Sequence, residues 1–263
     1  MELSLKNKVA VVTGASKGMG KAIALALSQE GCRVCLVART KTTLDDTADE
    51  IQAQTRSDVL AIPGDVSDPS LIETVIKKTA ERWGEIDILV NNAGGPPPGS
   101  FLDHDENVWV KTLDQNFLSV VRFSRAVVPQ MKKKKWGRII NLTSTIAKEP
   151  TPFMVLSASA RAAVSAFTKA ISTELAPLNI TVNTICPGAV QTERSENLMK
   201  LAAQKENQPV DEILKSSVAL IPLQRSASPA EIADVVLFLA SEKASYLTGV
   251  SLMVDGGLTK SMF

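Results

Sequence analysis

Histidine and tyrosine occur once each in the 263 residues, as His104 and Tyr246, and cysteine only three times. One histidine leaves no multi-histidine zinc centre to assemble, so no metal is expected. Three cysteines are too few for a disulfide framework, which fits a reducing compartment. Cys32 and Cys35 do form a C-x-x-C, but "CRVCLVA" reads as a strand, where positions three apart point to opposite faces. Charge of one sign is also lacking: 29 basic and 28 acidic residues leave a net +1. No field is therefore available to gather nucleic acid or a membrane surface, and the expected partner is a small molecule. The run "KKKK" at Lys132–Lys135 reads as the solvated end of a helix. No apolar run approaches the roughly 20 residues that span a bilayer, and Met1–Asn7 lacks a signal-peptide core. The expected location is the cytoplasm.

What is present is aliphatic. Apolar residues make up 44% and aromatics 4%, the mixture suited to strands covered on both faces. Seven apolar runs read as strands: 8–14, 33–38, 58–64, 86–92, 137–144, 180–188 and 250–257. They alternate with helix-like stretches near 19–30, 42–55, 69–82, 107–134, 157–176 and 229–240. The pattern predicts an α/β fold of one domain, a doubly wound, Rossmann-type parallel sheet of seven strands with helices on both faces. Asp68 before Pro69 and Ser228 before Pro229 read as N-caps with proline at the first helical position. "GGPPPG" at Gly94–Gly99 reads as a stiff loop lining a cleft. The polar, helix-prone segment 193–225 reads as an insertion that covers the cleft as a lid.

The first strand runs straight into "TGASKGMG" and then an apolar helix. Gly14 allows the sharp turn, Gly18 lets a pyrophosphate approach the backbone, and Gly20 lets helix and strand pack closely. The helix N-terminus then offers N–H groups to phosphate. The spacing is G-x-x-x-G-x-G rather than G-x-G-x-x-G. After the second strand, "VART" puts Ala38 where a carboxylate would bind a ribose 2′-hydroxyl, and Arg39 supplies a fork that suits a 2′-phosphate. With Lys17 nearby, NADP is expected over NAD.

"TGASKGMG", "GDVSD" (64–68), "NNAG" (91–94), "PGAVQT" (187–192) and "YLTGVSLMVDGG" together resemble the short-chain dehydrogenase/reductase family, over Lys6 to Gly257. Within it the chain resembles 3-oxoacyl-acyl-carrier-protein reductase-like members. The resemblance implies that Ser16, Lys17 and Met19 join the glycines at the cofactor, and that Asp65 and Val66 meet its adenine. It also implies that Asn92, Ala93 and Gly94 lie along the riboses, and that Gly188, Val190 and Thr192, with Pro187, hold the nicotinamide carboxamide. A homotetramer or dimer built on the helices at 107–134 and 157–176 is implied too.

The family resemblance implies a catalytic Asn, Ser, Tyr and Lys. Asn116 and Ser144 match the first two. At the tyrosine and lysine positions stand Ser157 and Arg161, in "SASAR". A phenol can relay a proton near neutrality when an ammonium lowers its pKa; serine is far more reluctant, and an arginine above pKa 12 cannot relay at all. Serine can still donate a hydrogen bond, and Arg161 can hold a ribose hydroxyl and contribute charge. The expectation is an NADP-dependent carbonyl reductase or alcohol dehydrogenase of modest rate, with Ser144 and Ser157 flanking the carbonyl oxygen and water, within reach of Asn116, delivering the proton. Ser157 has a second reading, as the N-cap of its helix. Lys148 and Glu149 are alternative acids. The rival functions are a catalytically silent NADP(H)-binding protein or regulatory subunit, and non-redox chemistry on the same scaffold.

Overall fold

A computed structural model describes residues 2–92 and 94–261. Seven strands form one sheet: β1 (Val9–Thr13), β2 (Arg33–Ala38), β3 (Val59–Pro63), β4 (Ile88–Asn91), β5 (Gly137–Leu142), β6 (Ile180–Pro187) and β7 (Ser251–Val254). The order is β3-β2-β1-β4-β5-β6-β7, and every pairing is parallel. The expected doubly wound single-domain fold is therefore the one found.

Side-chain alternation along the strands assigns the helices to two layers. In register, Cys35, Val11, Leu89, Ile139 and Val182 form one row across five strands. That row packs with buried residues of α3 (Pro69–Trp83), α5 (Ser119–Lys134) and the end of α6 (Val155–Leu175). The opposite pleat, with Val12, Leu36, Val90 and Ile140, packs on α1 (Gly18–Gln29), α2 (Lys41–Thr55) and α9 (Pro229–Ala240). β5 and β6 are buried along their whole length, as strands covered on both faces must be.

The two cysteines of the C-x-x-C part company here. Cys32 packs in one layer and Cys35 in the other, and burial pushes both thiols up to about 12. They are packing residues. Asp68 and Ser228 are N-caps, each accepting a backbone N–H of the helix that follows.

Two helical expectations need correction, and a third segment takes a definite form. The stretch 107–134 is α4 (Glu106–Leu113) and α5 joined by one widened π turn at Asp114–Leu118. The sixth helix starts at Val155 with Met154 as N-cap, so Ser157 lies in its first turn and does not cap it. The insertion 193–225 folds as two helices, α7 (Glu193–Glu206) and α8 (Val210–Ala219). Thr192 caps α7 reciprocally with Ser195. The lysine run closes α5, with Lys133 Nζ 2.8 Å from Glu85 Oε1 and Lys134 paired to Asp87. Among the described residues no helix is long and apolar enough to cross a membrane, and no cluster of three metal-ligating side chains forms.

Candidate active site

Parallel strands leave their carboxyl ends facing one edge of the sheet, and a crevice opens where the strand order reverses. Here the reversal lies between β1 and β4, and two adjoining chambers lie along that edge, of about 650 Å³ and 400 Å³. Met19, Arg161, Thr192 and Arg194 line both, so the chambers meet at these four side chains.

The larger chamber is built on the glycine turn. Gly14 has φ +62°, and a Cβ on it would stand 2.1 Å from Asn92 O. Gly20 is pressed against the turn from the other side: its Cβ would stand 2.1 Å from Gly14 O. Asn92 ties the two strands together, its N–H donating to Thr13 Oγ1 at 2.8 Å and its amide to Gly14 O at 3.3 Å. Lys17 precedes α1 without a side-chain capping bond, and no acid occupies the first turn. That leaves a helix N-terminus able to take an anion. Ser16, Lys17, Gly18 and Met19 line this chamber with Arg39, Asp65, Val66, Asn92 and Gly94. Gly20 supports it from behind, and Ala93 lies outside the described residues.

Charge in the larger chamber is uneven. Arg39 forms no hydrogen bond or ion pair among the described residues, beside Thr40 and Thr43 in the wall. Lys17, by contrast, is engaged: its Nζ lies 2.7 Å from Glu193 Oε2 at the start of α7. Asp65 accepts from the N–H and hydroxyl of Ser67 at 3.0 and 2.8 Å, which fixes the loop after β3. The cradle, the anion-ready helix end and a free guanidinium fit a phosphorylated dinucleotide.

The smaller chamber gathers Ser144, Ser157 and Arg161 with Pro187, Gly188, Val190 and Thr192. Ser144 ends the segment after β5, and its Oγ accepts from Ile146 N at 3.4 Å. Ser157 is buried, with 3% of its surface exposed, and its Oγ accepts from Arg161 Nε at 3.1 Å. Arg161 Nη1 donates to Thr143 O and, at 3.3 Å, to Leu142 O, so the end of β5 fixes the guanidinium. Burial pulls the pKa of this arginine down to about 10, with the nearby Arg194 adding to the shift. That value is lower than expected from the sequence, yet the side chain stays charged at neutrality. Over the chamber lie Leu198, Met199 and Ala202 of α7 and Ile213 of α8.

Asn116 is not brought into either lining. It sits in the π turn, buried, with its amide donating to Thr112 O at 3.1 Å, and its neighbour Gln115 faces the larger chamber instead. Glu149 is likewise occupied, accepting from the N–H groups of Lys260 and Ser261 at 2.7 and 2.6 Å. Neither Lys148 nor Glu149 lines a chamber.

Sequence reasoning missed Gln115 and Arg194. Arg194 Nη1 donates to Gly95 O at 3.0 Å and Nη2 to Pro96 O at 2.9 Å, which ties α7 to the proline-rich loop. A charge in the first turn of a polar helix reads as solvated surface. The only hint was its place two residues after Thr192.

A family profile described as enoyl-(acyl carrier protein) reductase matches residues 14–259. A 3-oxoacyl-[acyl-carrier-protein] reductase FabG of Vibrio cholerae is 37% identical over 256 residues, spanning 97% of this chain and 99% of that protein. Among solved structures, an L-sorbose reductase from Gluconobacter frateurii complexed with NADPH and L-sorbose superposes with a TM-score of 0.95 at 32% identity, covering 100% of both chains. An NAD+-bound xylitol dehydrogenase superposes with a TM-score of 0.91 at 27% identity, covering 97% of this chain and 100% of the other.

Proposed function

The chain belongs to the short-chain dehydrogenase/reductase family, and on that premise we propose that it is an NADP(H)-dependent oxidoreductase of the carbonyl reductase or alcohol dehydrogenase type, working with a Ser157–Arg161 pair. The observation that carries this reading is the meeting of Arg161, Ser157 and Ser144 in the smaller chamber, which opens directly onto the larger, phosphate-ready one.

When bound, a nicotinamide cofactor supplies the hydride for reduction, or accepts it in the reverse direction. The glycine turn, the start of α1 and Arg39 would hold its phosphates, and Arg39 would favour the 2′-phosphorylated form because its planar fork has no other partner among the described residues. Asp65 and Val66 serve the adenine end. Asn92 and Gly94 serve the riboses, and Gly188, Val190 and Thr192 receive the nicotinamide.

The two serines then act on the substrate oxygen. A hydroxyl has one donor and two acceptor positions. Both oxygens already accept, Ser157 Oγ from Arg161 and Ser144 Oγ from Ile146, so each O–H remains free to donate into the chamber. Paired donors at the carbonyl oxygen stabilise the charge that grows there as hydride reaches carbon. Arg161 adds positive charge and keeps Ser157 oriented. No tyrosine, histidine or carboxylate lines this chamber among the described residues, so the proton arriving at the alkoxide oxygen comes from water through the serine hydroxyls. Losing a dedicated general acid costs about 10²–10⁴-fold, so the rate is modest. Helices α7 and α8 act as the lid, and the protein assembles as a homo-oligomer through exposed apolar residues such as Val110, Leu113 and Leu118.

The test is NADPH binding by fluorescence together with NADPH oxidation over a panel of ketones, aldehydes and 3-oxoacyl thioesters. Slow oxidation with some of these is expected. Tight NADPH binding with none above background would establish the second reading, a silent NADP(H)-binding protein, which the missing proton relay favours.

A further inference from the structure

Two arginines in the smaller chamber lack the counter-charge their position calls for. Arg161 and Arg194 both line it, no aspartate or glutamate does, and neither arginine forms an ion pair among the described residues. Each is instead held by backbone carbonyls: Thr143 and Leu142 for Arg161, Gly95 and Pro96 for Arg194. Such bonds orient a guanidinium without neutralising it. Arg161 is partly buried and Arg194 lies at the exposed rim of the chamber, so the two place uncompensated positive charge at its inner wall and its mouth, where they repel one another. Of the other cations at the site, Lys17 is paired to Glu193, and Arg39, also without a partner among the described residues, lines the larger chamber and not the smaller.

Besides hydroxyl side chains such as Ser144 and Ser157, the smaller chamber has apolar walls that include Ile146, Met154, Leu198, Met199 and Ile213. Resting on the oxidoreductase reading above, we propose that the substrate is an oxo acid, whose carboxylate is held by Arg161 and Arg194 beside the reacting carbonyl and whose apolar tail lies under α7 and α8. Arg161 Nε bonds the very hydroxyl assigned to the carbonyl oxygen. The carboxylate is therefore one or two bonds from the carbonyl carbon, as in a 2-oxo or 3-oxo acid.

Calorimetry decides this without requiring turnover. The protein, with and without saturating NADP+, is titrated with 2-oxohexanoate and 3-oxohexanoate and with their methyl esters, which keep shape and lose charge. Each acid that fits is expected to bind at least tenfold more tightly than its ester. Arg194→Gln, which keeps a donor for the Gly95 and Pro96 carbonyls, should weaken acid binding by about 10- to 100-fold, as loss of a charge-assisted bond does. Ester binding and NADPH affinity should stay within about threefold in that variant. Arg194→Lys, retaining charge without the fork, should fall between.

Equal binding of acid and ester by the wild-type protein, or no binding of either, overturns the proposal whatever the variants do. A loss of NADPH affinity in Arg194→Gln as large as the loss of acid affinity also overturns it, because the guanidinium then serves the cofactor. NADPH oxidation followed in the same samples separates the two readings. Acid binding without oxidation would leave the anion site standing and remove the reductase, whereas ester reduction with no preference for acid would do the reverse.

Discussion

Arg161 and Ser157 stand one helical turn apart on α6, and the guanidinium Nε donates to the serine oxygen at 3.1 Å. The spacing of four places both on one face of a helix. A cation next to a hydroxyl is thus retained, but the hydroxyl is one that ionises far less readily than a phenol. Restoring a phenol and an ammonium tests whether everything around the pair is already in place. The double variant Ser157→Tyr, Arg161→Lys is expected to raise NADPH oxidation with a generic diketone by about 10²-fold or more, the order a general acid contributes. No gain would mean that the chamber is shaped around the smaller side chain.

Arg39 decides the choice between phosphorylated and unphosphorylated dinucleotide. Arg39→Ala should weaken NADPH binding by about 10- to 100-fold and leave NADH nearly unchanged. Fluorescence titration of both cofactors against wild type and variant measures this, and equal losses for the two would remove Arg39 from the 2′-phosphate.

The pH dependence should be unusual for an oxidoreductase. Arg161 and Arg194 are the titratable side chains lining the smaller chamber among the described residues, and burial holds Arg161 at about 10. The protonated guanidinium is the working form, and it is fully populated below that value. The chemical step should therefore be flat from about pH 6 to 9 and decline as the pH passes 10. A limb near pH 7 in single-turnover rates would point to a group outside this set.

Gly14 tolerates no side chain. At φ +62° with Asn92 O 2.1 Å from any added Cβ, Gly14→Ala meets both backbone strain and a clash with backbone. The expected cost is about 2–4 kcal/mol of stability, read by denaturant titration, with loss of NADPH binding in whatever folds.

Much of this was legible in the chain because burial on both faces writes strands as unbroken apolar runs. All seven strands fall inside those runs, each ending where backbone turns toward the crevice; "IDILVNN" leaves the sheet at Asn91 so that Asn92 can reach the glycine turn. Helix boundaries were less readable. The helix expected from 157 starts two residues earlier, at Val155, which removes the cap reading of Ser157 and leaves it in the chamber wall. The π turn at Asp114–Leu118 leaves no trace in hydrophobic period over so short a span. Arg194 was invisible for another reason: its partners are carbonyls of a loop about a hundred residues away, and only tertiary folding brings them together.

The widened turn between α4 and α5 fixes a phase. It is equivalent to one extra residue in an otherwise continuous rod, and successive residues of a helix step about 100° around its axis. Were residues 114–118 wound as regular α-helix with none removed, the surplus residue would rotate α5 by that step relative to α4. Phe123, Val127 and Met131, all buried against the sheet, would swing off it while Gln115 turned from the crevice. One surplus residue thus keeps the inner face of α5 and the mouth of the crevice in step.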